Sequence, residues 1–191
     1  GSALAAYAVS APASIAVDGA FADWNGVQKT ADAASDVANP NIDILNEAAA
    51  RQSGSFLAYV QFNGAGKAMS GMAVPMTRAV PTGGGGGTGN GSSGPTILPR
   101  IAGEDVARLY IDSVAGGSAI GGIQADFVIE LRGKNGIVAE KRVLTYPGRI
   151  QIGTASAEAG ASAVEASVTL LQIGNPTGTV RMYVETTDWE K

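Results

Sequence analysis

Neither cysteine nor histidine occurs anywhere in the 191 residues of this chain. Their absence excludes disulfide stapling, thiolate and imidazole nucleophile systems, and zinc sites of the usual kind. Catalysis would have to rest on carboxylates, tyrosine, lysine or serine alone. Charge is scarce as well: 16% of the residues are Asp, Glu, Lys or Arg, and the net charge is −4. That balance offers no basic footprint for nucleic acid. Aromatic residues make up 6% of the chain and include two tryptophans, Trp24 and Trp189. No apolar run reaches the length of about 18 residues that reads as a transmembrane helix.

What is present is small and apolar: 45% hydrophobic residues and 27 glycines. The length and apolar content predict one domain with a real core. Richness in Gly, Ala, Ser and Thr with few Lys and Glu is the composition of secreted, assembly-forming proteins. The start at Gly1 fits removal of a signal peptide or a cloning remnant. A secreted chain without disulfides relies on metal or on neighbours for stability. Asn90-Gly91-Ser92 is a glycosylation sequon, whereas Pro176 spoils Asn175-Pro176-Thr177.

Residues 1–12 form an N-terminal unit whose part 3–10 reads as a small-residue strand carrying Leu4, Tyr7 and Val9. Two readings are open. It is either the first strand of its own sheet or a strand that completes the sheet of a neighbouring copy, since unpaired edges invite strand addition. In the second reading Leu4, Tyr7 and Val9 enter the neighbour's core, and Ala11-Pro12 turns the strand away. Residues 13–191 then form the domain proper. Within it, Asp18-Gly19 suits a turn with positive φ, and Phe21 and Trp24 can point into one core from an irregular loop.

Asp32, Asp36, Asn41 and Asp43 crowd oxygen ligands ahead of a strand. Such irregular spacing suits calcium, which accepts six to eight oxygens, and equally suits a solvated turn whose side chains bond their own backbone. Residues 41–50 and 55–63 read as a hairpin with Phe56, Ala58, Val60 and Phe62 on one face. Residues 64–103 read as a long glycine-rich insertion without the lysine of a phosphate-binding loop. Ordering such a tract needs a holder, for which a neighbouring copy is the simplest candidate. Strands are then expected at 107–111, 124–131, 137–146, 149–152, 163–171 and 179–186, with Gly133-Lys134-Asn135-Gly136 as a hairpin turn. Clean alternation over 164–170 predicts a half-exposed strand. So many short strands predict an all-β fold, an antiparallel sandwich of jelly-roll type.

The pattern Ile15-x-Val17-Asp18-Gly19-x-Phe21-x-Asp23-Trp24, followed by Asp32, Asp36 and Asn39-Pro40-Asn41-Ile42-Asp43-Ile44, resembles the opening of family 9 carbohydrate-binding modules. It resembles still more the related sandwich domains of archaeal secreted and cell-surface proteins. Residues 103–112 and 122–130 continue the likeness. The resemblance implies a β-sandwich, an extracellular setting, and sugar binding or surface assembly as the function.

Three functions compete. A glycosidase needs two convergent carboxylates; Glu104, Asp105, Asp112, Asp126, Glu130, Glu140 and Glu165 are available, but most read as strand-face or turn charges. A sugar-binding module needs exposed aromatic platforms. Trp24 reads as core, so Trp189 would have to recruit Tyr110, Tyr146 or Tyr183, which read as packing residues. The preferred reading is a non-enzymatic structural subunit of an extracellular filament or surface layer, a homopolymer joined by the N-terminal strand and stiffened by calcium. The carbohydrate-binding module is the alternative.

Overall fold

The computed structural model describes residues 6–11, 13–37, 40–63, 68–69 and 103–190, the side chains of 189 and 190 excepted. Most of the 64–103 insertion therefore lies outside the described residues. The fold is all-β. The strands are β1 (Ala6–Ser10), β2 (Thr30–Ala31), β3 (Ile44–Gln52), β4 (Ser55–Phe62), β5 (Glu104–Asp112), β6 (Ser118–Ile120) and β7 (Ile123–Ala125). They continue with β8 (Phe127–Lys134), β9 (Ile137–Thr145), β10 (Gln151–Thr154), β11 (Ser156–Ala159), β12 (Ala163–Thr169) and β13 (Arg181–Glu190). Short 3-10 helices at Phe21–Gly26 and Leu170–Ile173 complete the described elements.

One large sheet runs in the order β10-β9-β8-β5-β13-β1-β3-β4-β12-β11, with β2 added beside β3. It curls into a nearly closed ring. At one seam β1 joins the two walls. At the other, the chain passes from β10 to β11 through Ala155, whose N–H donates to the carbonyl of Lys141 at 2.9 Å. The sheet is mixed rather than wholly antiparallel, because β1 runs antiparallel to β13 and parallel to β3. A parallel pair needs a crossover instead of a hairpin, and residues 11–43 supply it.

The core lies between the walls. Phe56, Ala58, Val60 and Phe62 of β4 all face inward, as their period of two requires, and meet Leu109, Ile111, Ile129, Leu131 and Val184 from the opposite wall. Both outer faces are partly covered too. Segment 13–29 lays Ile15, Trp24 and Val27 over Ala48, Ala50, Leu57 and Tyr59. Hairpin β6–β7 lays Ile123 and Ala125 over Tyr110, Val128, Leu144 and Tyr183.

That covering overturns one expectation. Strand β12 is buried on both faces except near its end, and Glu165 within it is wholly buried rather than half-exposed. Segment 13–27 supplies the lid that local alternation cannot foresee. The expected strand over 124–131 is also interrupted at Asp126, whose carboxylate turns back to accept the amides of Ser113 and Val114 at 2.9 Å. The turn at Asn135-Gly136 forms as its sequence requires, with φ of 56° and 74°.

Candidate functional site at the β1 seam

Strand β1 fills a slot between β13 and β3. Ala6 and Tyr7 pair with Met182 and Arg181 on one side, while Ala8, Val9 and Ser10 pair with Ala49, Ala50 and Arg51 on the other. The Ala8 amide donates to the carbonyl of Val180 at 2.9 Å. Alternation points Ala6 and Ala8 to the central core. Val9 packs instead against the outer cluster around Trp24, and Tyr7 is 58% exposed. Within its own chain, β1 thus reaches the central core through two alanines, not through Tyr7 and Val9. Leu4 lies outside the described residues, as does Asn90. Arg51 bridges the seam beyond β1, donating to the carbonyls of Pro176 at 2.6 Å and Gly178 at 2.8 Å.

Beside β1, the same edge of β3 carries β2. Thr30 faces Glu47 and Ala31 faces Asn46; the Asp32 amide extends the ladder, donating to the carbonyl of Leu45 at 2.9 Å. Residues directly opposite in a ladder share a face, so Thr30, Asp32 and Glu47 lie on one side of the sheet. That side is the inner one, since Glu47 also faces Val60 of the core. Glu47 is wholly buried and neither of its carboxyl oxygens has a hydrogen-bond partner. Burial pushes its pKa up to about 8, opposed by the Ala6 amide and reinforced by the neighbouring charge of Asp32.

The four residues expected to hold a cation are divided between different tasks. Asp43 is buried; its Oδ2 accepts the Ser35 amide at 2.6 Å and the Asn63 side-chain amide at 2.8 Å, closing the turn ahead of β3. Asp32 accepts the Ala33 amide through Oδ1 at 2.9 Å, while its Oδ2 is buried without a partner. Asp36 and Asn41 have interactions of their own. Among the described residues, no group of three acidic side chains converges closely enough to hold a metal ion.

Of the seven carboxylates read for the most part as strand-face or turn charges, three are buried: Asp105, Glu130 and Glu165. Glu165 anchors the lid. Its Oε1 accepts the amides of Asp18 and Gly19 at 2.8 and 2.7 Å, and its Oε2 accepts the Trp24 indole N–H at 2.8 Å. Burial still raises its pKa, against the pull of these donors. Trp24 in turn stacks on Tyr59 at 5.4 Å, and Phe21 meets Tyr59 edge-on at 5.7 Å.

Glu130 centres a charged ladder in which Glu185, Arg108, Glu130 and Arg142 lie in register across β13, β5, β8 and β9. Arg108 Nε lies 3.0 Å and Arg132 Nε 3.3 Å from its carboxylate, and Arg149 donates to it as well. Burial alone would raise its pKa, but the bonds from Arg108 and Arg149 and the charge of Arg132 hold it below the usual carboxylate value. Tyr110 stacks on Tyr183 at 5.9 Å and meets Tyr146 edge-on at 5.1 Å. These rings and Trp24 are engaged in packing.

Sequence reasoning missed Glu47, which sits among alanines that favour helix locally. Its signal was parity: counted from the core residue Ala49, position 47 must point inward. Among the described residues, no helix is long and apolar enough to cross a membrane. No protein-family model matches the chain, and neither does any curated protein or solved structure.

Proposed function

We propose that this chain is a structural subunit of an extracellular filament or surface assembly, secreted and non-enzymatic, whose copies are joined by exchange of strand β1. In this reading the nearly closed ring acts as a sandwich of jelly-roll type, with the seam between β13 and β3 as the acceptor slot. One observation carries the reading: among the described residues β1 is the strand that pairs with both β13 and β3 in the slot, and its hold is mostly backbone hydrogen bonding. Ala6 and Ala8 bury little side chain, and a backbone hydrogen bond contributes about 0.5–1.5 kcal/mol net. An identical strand from a neighbour offers the same bonds. Arg51, reaching across to the loop before β13, supports the slot when its own strand has left. The likeness of roughly residues 14–187 to archaeal cell-surface domains is part of this reading.

Ala8 and Ala49 are direct register partners, so the variant carrying Ala8→Cys and Ala49→Cys tests the exchange. Oxidation should give a ladder of covalently linked chains on a denaturing gel. Deleting residues 1–10 should abolish polymers seen by electron microscopy, and the matching free peptide should bind the truncated chain. A monomeric band alone, or normal assembly after the deletion, defeats strand exchange and makes the carbohydrate-binding module the better reading.

A further inference from the structure

The acidic pair beside the seam is poorly supplied with donors: the Ala33 amide meets Asp32 Oδ1, and the Ala6 amide lies near Glu47. Three oxygens are buried there without a hydrogen-bond partner: Oε1 and Oε2 of Glu47 and Oδ2 of Asp32. Their side chains share the inner face of the β2–β3 ladder, diagonally placed where Thr30 faces Glu47 and Asp32 faces Leu45. Diagonal neighbours in a ladder are about 7–8 Å apart at the backbone, a gap that a glutamate and an aspartate can span around one ion.

We infer that Asp32 and Glu47 form a binding site for a divalent cation of the calcium class. A proton shared between the two carboxyls would satisfy two of the three oxygens and leave the third bare. A hard cation accepts all three, and it takes oxygen from carboxylates, carbonyls and water alike. Two carboxylates neutralise its charge, and water or main-chain carbonyls complete the shell. Of the four residues in the acidic segment, only Asp32 belongs to this site. Its second ligand comes from β3, fifteen positions along the chain. The site does not depend on strand exchange, because β2 and β3 belong to the domain proper.

The test uses the whole chain, freed of metal by a chelator and then titrated with calcium chloride or magnesium chloride alone. Saturation at a hundredfold excess over Kd should raise the thermal midpoint by roughly 5–10 °C. Titration calorimetry should give one site per chain. Glu47→Gln should weaken binding at least about tenfold, and Asp32→Asn, at a half-buried position, should do the same should the Glu47 variant fold poorly. Glu158→Gln, on the far edge strand, should bind as the parent does. Calcium binding that survives both Glu47→Gln and Asp32→Asn overturns the proposal, and so does a midpoint that ignores millimolar calcium and magnesium. Strand exchange is read separately, from the covalent ladder.

Discussion

Replacing Glu165 by Gln isolates the bond that fastens the lid over β12. Gln keeps the shape and one oxygen, which can still accept the amides of Asp18 and Gly19. Its amide nitrogen then faces the Trp24 indole N–H, whose present bond to Oε2 is 2.8 Å long. Two donors oppose each other in a dry site. Flipping the amide rescues the indole and abandons the two main-chain amides instead. A hydrogen bond to a charged group contributes about 1.5–3 kcal/mol. Part of that is returned, because Gln removes the cost of burying a charge, which already holds the Glu165 pKa above its ordinary value. A net loss of about 2 kcal/mol follows, or a thermal midpoint lower by roughly 4–8 °C for a chain of this size. Trp24→Phe removes the donor from the other side. The double variant should therefore be less destabilised than the sum of the single ones, by about 1–2 kcal/mol. Strict additivity in denaturant titrations, or a Gln variant as stable as the parent, would refute the assigned role of the indole bond.

Three further outcomes follow from the same geometry. Glu130→Ala leaves several guanidinium groups around an empty position and should cost about 3–5 kcal/mol in a denaturant titration. Because the folded-state pKa of Glu130 is depressed, its stabilisation is present above the unfolded carboxylate value and is lost as pH falls through the folded one. Midpoints measured downward from pH 7 should accordingly fall less steeply for Glu130→Gln than for the parent. Gly121→Ala would bring a Cβ to 2.3 Å from the Tyr183 ring at a backbone φ of +52°, and should cost about 1–3 kcal/mol while near-ultraviolet circular dichroism reports displacement of the tyrosine cluster.

Local chemistry made much of the wall structure legible. Period two in β4, the Asn135-Gly136 turn and the burial of Trp24 needed no knowledge of distant contacts. What escaped depends on pairs far apart in the chain. Glu165 meets Asp18 and Gly19 from 147 and 146 positions away, so neither the lid nor the burial of both faces of β12 follows from the alternation within 164–170. The parallel partner of β1 was equally hidden, because a strand of small residues carries no register signal. At the candidate site the acidic segment stood out, yet three of its four oxygen-bearing residues are not the ones that share a face with Glu47. A glutamate in Asn46-Glu47-Ala48-Ala49-Ala50 looks like a surface helix position until the strand direction is known.

Glu165 and Glu47 make a comparison that isolates what a buried carboxylate needs. Both are wholly buried, and both belong to the same wall of the ring. Glu165 receives three donors, two from a turn and one from an indole. Glu47 has no hydrogen-bond partner for either oxygen. A buried polar group without a partner costs about 1–3 kcal/mol, whereas exchanging it for an apolar group of similar shape removes that cost. Leucine at the two positions should therefore act with opposite sign when the protein is kept in chelator. Glu165→Leu orphans three donors and should lower the thermal midpoint. Glu47→Leu breaks no hydrogen bond of ordinary geometry and takes the carboxylate only from the nearby Ala6 amide; it places an apolar side chain opposite Val60, and should raise the midpoint by roughly 2–8 °C. Adding calcium should narrow the gap between the parent and Glu47→Leu, since only the parent retains the pair of carboxylates. A fall in midpoint for Glu47→Leu in chelator would mean that the chain itself satisfies this carboxylate, and the case for an ion beside β1 would fail with it.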